Sequence, residues 1–260
     1  MIVKNLKPGI RIAEYVERLL IIENARTDKS FSLPLFANGC PTLLFISEKG
    51  IMGSKPAAHL TLFGQTLQPD TLTFTGEFIL IAYFFKSYSL KPVFGIMASE
   101  LTDSPIDLGL AMPRKIGELE KRLLATSSTK IRLALLDQFI SGLIADAKHD
   151  HPAVRFAANK IAHQSAPDIL ISIQKELHVT ERTFQRMFEK NIGISPNLYR
   201  RVCQFNSAFQ QLNNRNYSRL SDLAFQNGYA DQSHFVRSFK EFTHILPTEY
   251  LRFGESVESK

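Results

Sequence analysis

The chain repeats itself once near its C-terminal end, 51 residues apart. Set against each other, 184–201 and 235–252 share seven identities in 18 positions: Phe184/Phe235, Arg186/Arg237, Phe188/Phe239, Ile194/Ile245, Pro196/Pro247, Tyr199/Tyr250 and Arg201/Arg252. Each copy reads F-x-R-x-F, seven residues, then P-x-x-Y. A repeat of this kind means one supersecondary unit used twice. Each copy ends a helix, turns, and starts another helix at a proline, whose missing N–H costs nothing in a first turn.

A shorter helix precedes each copy. DILISIQKELHV (168–179) leads to Thr180, and LSDLAFQNGY (220–229) leads to Asp231. Both residues suit an N-cap, and Gly228 suits a left-handed helix stop. Short helix, tight turn and capped second helix make a helix-turn-helix, so the sequence predicts two. On the second helices Phe184/Phe188 and Phe235/Phe239 sit at i, i+4 and form an apolar stripe for the core. The other faces carry Glu181, Arg182, Gln185 and Arg186, then Gln232, Ser233, His234, Arg237 and Lys240. Arginine pairs with guanine edges or phosphate and glutamine with adenine edges when such a helix enters a major groove. An ordinary solvated face is the competing reading, and two copies in one phase weigh against it.

Between the copies, Leu198, Val202, Phe205, Phe209 and Leu212 keep a 3–4 rhythm. About 18 helical residues at ~1.5 Å each span ~27 Å. Successive major-groove faces on one side of B-DNA lie ~34 Å apart. A connecting helix of this length is able to set two reading heads into adjacent grooves.

Upstream the composition changes. Ten of the 13 glycines and nine of the 12 prolines precede residue 155. Short apolar runs alternate there with turn signals: VERLLII (16–22), TLLFI (42–46), LTLFG (60–64) and LTFTGEFILIAYFF (72–85). Such runs read as strands, so about 12–95 is expected to form a sheet or small barrel. From about 96 the pattern turns helical. Ile116, Leu119, Leu123 and Leu124, then Ile131, Leu135, Phe139 and Leu143, recur at helical spacing. TSST (126–129) divides these two helices, with Ser128 or Thr129 as cap. Their stripe serves equally as domain core or as a self-association surface. KHDHP (148–152) reads as a linker.

With 260 residues the chain suits one large domain or two modest ones. Net charge is +6. Residues 1–154 hold 17 basic and 15 acidic side chains, and 155–253 hold 13 and 8. The repeat region therefore carries most of the positive excess, as contact with a polyanion requires, although surface scatter also produces such a bias. No secretory leader is visible at the start, and no apolar run nears the ~18 residues of a membrane span. The two cysteines, Cys40 and Cys203, make no disulfide framework. A cytoplasmic location is the expectation.

Rival chemistries find little support. His149-Asp150-His151 has H-x-H spacing, but no further ligand stands nearby at metal-site spacing. Cys40, between Gly39 and Pro41, has no identifiable base, and Cys203 falls in the connecting helix as a small apolar residue. Neither a P-loop nor a dinucleotide motif occurs. No catalytic residue, metal or cofactor is expected.

TERTFQRMFEKNIGISPNLYRR (180–201) and SDLAFQNGYADQSHFVRSFKEFTHILPTEYLR (221–252) resemble the AraC/XylS family of bacterial transcription regulators, the second stretch being its signature region. The resemblance covers about 155–253. It implies an all-helical DNA-binding domain of two helix-turn-helix units joined by a long helix, with second helices near 180–190 and 231–241 reading DNA. Two positions depart from the family pattern. Gln174 stands where a small alanine is usual, while the second unit keeps Ala224. His244 stands where the first unit has Gly193, and a side chain there strains a left-handed turn or shifts it. FANGCPTLLFI (36–46), LFGQTLQP (62–69) and ASELTDSPIDL (98–108) resemble a β-rich domain that precedes such DNA-binding domains in a subset of regulators.

The expected class is therefore α+β: a β-rich domain, cupin-like or a small barrel, over 1–110, a helical connector over 111–151, and an all-α DNA-binding domain over 152–260. Arg182, Gln185, Arg186, Gln232, His234 and Arg237 are the candidates for base or groove contacts, with Ser233 also among the DNA-binding candidates. Lys190, Arg201 and Lys240 are candidates for phosphate. Double-stranded DNA is the expected partner. The resemblance adds RNA polymerase, a small-molecule effector and a second copy of the chain as further partners, with no membrane. The competing function is a protein-interaction module that keeps the fold without strong DNA reading.

Overall fold

The computed structural model describes residues 1–25, 30–147, 151–164 and 168–258, the last six of these by backbone alone. The N-terminal part holds two antiparallel sheets. The larger runs in the order β1 (Ile2–Leu6), β2 (Val16–Asn24), β9 (Phe78–Phe85), β4 (Thr42–Ile46), β7 (Leu60–Phe63), β10 (Ile106–Asp107). The smaller runs β3 (Ser30–Leu35), β8 (Asp70–Thr75), β5 (Ile51–Met52), β6 (Lys55–Pro56). Pro34 sits in β3, an edge strand, where a sheet tolerates proline.

The unbroken apolar runs of β4 and β9 reflect burial on both faces. Residues alternate across a strand. Leu44, Leu80, Ala82 and Phe84 face the smaller sheet and pack with Leu72, Phe74 and Phe78. Leu43, Phe45, Ile81, Tyr83 and Phe85 face the helices. There lie α2 (Pro113–Ala125) and α3 (Thr129–Ala145), after the short α1 (Leu108–Ala111). Ser128 caps α3, its hydroxyl accepting from the Ile131 N–H. Polar contacts fasten α3 to the sheet. Tyr83 Oη donates to Asp137 (2.8 Å), the Thr129 hydroxyl donates to Glu23 (2.7 Å), and the Arg132 guanidinium lies over Phe45.

Of the two readings of the connector stripe, domain core holds for Ile116, Leu119, Leu123, Leu135 and Leu143, which join Leu136 and Ile140 there, while Leu124 and Ile131 stay exposed. The expectation of helix from about residue 96 fails at 106–107, where Ile106 and Asp107 pair with Leu62 and Thr61 as a last edge strand. Two residues are too few to show a period. The expected linker at 148–152 lies mostly outside the described residues, as do His149 and Asp150.

The C-terminal part is helical: α4 (Pro152–His163), α5 (Ile169–Glu176), α6 (Glu181–Ile192), α7 (Pro196–Asn213), α8 (Leu220–Gln226), α9 (Gln232–Thr243) and α10 (Pro247–Glu258). One apolar cluster continues from the outer face of the larger sheet through the connector into these helices. Polar and aromatic contacts add to it. The Thr102 hydroxyl donates to the Gly193 carbonyl (3.0 Å), and Tyr199 Oη donates to Ser87 Oγ (2.9 Å). Phe36 packs on Phe209 and Tyr250. No helix among the described residues is long and apolar enough to cross a membrane.

Candidate nucleic-acid interface and interdomain pocket

Both helix-turn-helix units form where the repeat places them. In the first, α5 ends in a turn with His178 at φ +52°, and the Thr180 hydroxyl accepts from the Thr183 N–H to start α6. In the second, α8 ends before Gly228 at φ +75°, and the Asp231 carboxylate accepts from the His234 N–H (2.7 Å) to start α9. Both caps satisfy N–H groups that a helix start leaves without partners.

The phenylalanine stripes fill the core as expected. Phe184, Phe188, Phe235 and Phe239 are each at most 1% exposed. They hold both second helices on α7, which Ser195 caps. Phe188 meets Tyr199 (5.8 Å between ring centres), and Phe205 meets Phe239 (5.8 Å) and Phe242 (5.1 Å). One 18-residue helix thus carries both heads. Its Leu198 and Phe209 are half-buried while Val202, Phe205 and Leu212 are buried, so the 3–4 rhythm marks the correct face.

Burying the aromatic face turns the polar face outward. Arg182, Gln185, Arg186 and Lys190 are exposed on α6, and Gln232, Ser233, His234, Arg237 and Lys240 are exposed on α9. Gln185 donates to Glu189 (3.0 Å), and the His234 ring stands edge-on to Tyr229 (5.2 Å). Arg201 lies apart from these. It pairs with Glu241, its guanidinium is 5.8 Å from the Phe242 ring centre, and it ties α7 to α9.

The two departures from the family pattern have a geometric outcome. His244 adopts φ +62°, and its N–H donates to the Lys240 carbonyl, so the left-handed turn is kept and not shifted. Gly193 adopts φ +95°. A Cβ there would lie 2.7 Å from both the Ala98 carbonyl oxygen and Thr102 Oγ1. Gln174 is half-buried where Ala224 is fully buried.

A cavity of about 670 Å³ opens between the sheets and the C-terminal helices. Leu20, Leu33, Leu44, Leu80 and Phe84 line the sheet side, and Asn206, Phe209, Gln210, Asn213 and Tyr250 line the helical side. Arg18 is the one cationic side chain that lines it among the described residues. The guanidinium stacks on Phe84, 3.5 Å from the ring centre. Burial lowers its pKa, with Cys40 and Glu17 acting in the opposite sense. No ion pair to Arg18 occurs among the described residues. Nothing in VERLLII marked that arginine, because a strand's inward face is defined only by its partners.

Beside the cavity, Cys40 Sγ contacts Glu17 (3.6 Å), and Gly39 lies against Val202, Tyr199 and Cys203. Burial pushes the Cys40 thiol well up, with the Glu17 charge adding to it. Burial also pushes Cys203 up to about 12. Both are thiols at neutral pH, not nucleophilic thiolates.

Residues 173–252 match the helix-turn-helix domain family, and residues 4–107 match a family described as a domain of unknown function (DUF6597). No curated protein sequence matches the chain. Among solved structures, ToxT from Vibrio cholerae is similar at 15% identity, over 90% of this chain and 97% of that one, with a TM-score of 0.49. An unsaturated fatty acid-bound form of wild-type ToxT from the same organism is similar at 13% identity, over 90% and 94%, with a TM-score of 0.49. From its two units, the helix that joins them and the matched residues, the chain carries at its C-terminus the helix-turn-helix domain of AraC-type transcription regulators, behind an N-terminal β domain.

Proposed function

We propose that the chain is a sequence-specific transcription regulator whose DNA binding responds to an apolar, anionic small molecule. The DNA-binding role rests on the AraC-type domain. Sequence specificity is supported by one observation: both second helices bury their phenylalanines on a shared helix and turn hydrogen-bonding and cationic side chains to solvent. In this reading Gln185, Arg186, Gln232, His234 and Arg237 meet base edges, with Arg182 and Ser233 beside them, and Lys190 and Lys240 meet phosphate. Arg201 positions α9 through Glu241. Residues 1–110 form the regulatory domain, 111–151 brace it, and 152–260 bind DNA.

Effector binding is supported by the interdomain cavity. Its ~670 Å³ falls within the range that holds a small molecule. Its walls are mainly apolar, with one arginine that makes no ion pair among the described residues and that an anionic head group would satisfy. Both domains line it, so a bound molecule would bias how they sit together.

A salt titration of the full chain on labelled duplex tests the DNA reading. Phosphate contacts release counterions, and log K then falls with log salt at ~0.9 per contact. A steep slope, with weaker binding by Arg186→Ala, is the expected result. Salt-insensitive or absent binding favours the protein-interaction module.

A further inference from the structure

We propose that the N-terminal domain itself touches DNA, through Lys91, at a phosphate-binding cavity shared with the first reading helix. The inference rests on the DNA-binding reading above and extends it to a residue outside the helix-turn-helix domain.

The cavity holds about 270 Å³ and is lined by Lys91, His151, Thr183, Arg186, Met187, Lys190 and Asn191. Three of these are cations and none is acidic. Arg186 and Lys190 stand one turn apart on α6, in line with Arg182 a turn earlier. Among the described residues no ion pair neutralises Lys91, Arg186 or Lys190. Three like charges around one hollow repel each other, and an anion in the hollow removes that cost.

Lys91 reaches this place by construction. It belongs to a π-helical turn, Leu90–Phe94, whose Leu90, Val93 and Phe94 are buried, with Phe94 set edge-on to Phe85 (5.2 Å). The turn ends at Gly95, at φ +73°, with its N–H donating to the Lys91 carbonyl. Lys91 is half-buried and lines the hollow, as a long cationic side chain does when its stem packs on the protein and its charge stays accessible. Close by, the Thr102 hydroxyl fixes the end of α6 through Gly193.

The shared chemistry is a phosphate. Its source is the DNA backbone, because Lys190, assigned to phosphate, and Arg186, assigned to a base edge, belong to the helix whose exposed face meets the groove, and phosphates flank that groove; Lys91 and Lys190 hold the phosphate beside that arginine. A hydroxyl at Thr183 and the His151 ring complete a set of donors suited to a phosphate oxygen. The N-terminal domain is then more than an effector holder: its seating against α6 decides whether this contact is present.

The test uses the full chain and a labelled random-sequence duplex. Wild type, Lys91→Ala, Lys91→Gln and Lys91→Arg are titrated across a salt series, with thermal melting to verify that each is folded. Loss of one phosphate contact flattens the log K against log salt slope by ~0.9. Lys91→Ala and Lys91→Gln should show that change, with severalfold weaker binding at low salt, while Lys91→Arg keeps the wild-type slope. Wild-type slope and affinity in both neutral variants would overturn the proposal while leaving the DNA reading intact. So would inorganic pyrophosphate binding that Lys91→Ala abolishes without any change on duplex, since the hollow would then serve a free anion. A wild-type chain with no salt-sensitive duplex binding fells the DNA reading, and this proposal with it.

Discussion

Gly193 and His244 hold the same place in the two units and the same left-handed backbone, yet only one is glycine. The reason is local crowding. Gly193 lies against the backbone of Ala98, and a Cβ would collide with it, whereas His244 points to solvent. Gly193→Ala should therefore destabilise the chain by more than ~1 kcal/mol in urea unfolding, with both positive φ and contact against it. His244→Gly should change stability by less than ~0.5 kcal/mol, because relief of strain is offset by a freer unfolded chain. Equal effects at both positions would contradict this account. At the reading faces, Arg186→Ala and Arg237→Ala should each weaken binding to a selected site by ~1–3 kcal/mol if each touches a base. Arg201→Ala should instead lower thermal stability, through loss of the Glu241 tie, and leave base preference unchanged.

Among the elements, the caps and the aromatic stripes carry the helical half. Asp231→Ala removes the acceptor for the His234 N–H and should cost ~1 kcal/mol of stability. Phe205→Ala leaves a hole against both Phe239 and Phe242 and should cost ~3–5 kcal/mol, read by urea midpoint. These elements were legible in the sequence because repeat, cap residues and 3.6 periodicity all point the same way. Strands β2, β4, β7 and β9 were legible as apolar runs between turn residues. Strand β1 was missed: IVKNL is exposed along its whole length and carries no buried face to reveal it. So was β3, where Ser30, Phe31, Ser32 and Leu33 do alternate but Pro34 within the run argues against a strand. The 116–143 stripe was visible, but its partner was not, since only the sheet's outer face tells core from contact surface.

At the scale of the molecule, neither cavity was legible. Each joins side chains from distant parts of the chain: Arg18 to Tyr250 in one, Lys91 to Lys190 in the other. A long-chain carboxylate should raise the melting temperature of the full chain, as any ligand of the folded state does, while its matched alcohol should do so less. Arg18→Gln should erase the difference between the two. A shift equal for acid and alcohol would remove the arginine from the account.

The central claim is that two polar-faced helices on one connecting helix read adjacent stretches of one duplex. Selection of duplexes bound by the full chain from a random library tests it most directly. An enriched site with two short conserved blocks about one helical turn, ~10–10.5 base pairs, apart is expected. Arg186→Ala should relax one block and Arg237→Ala the other. A library that emerges without enrichment, or with a single block insensitive to both substitutions, would contradict it.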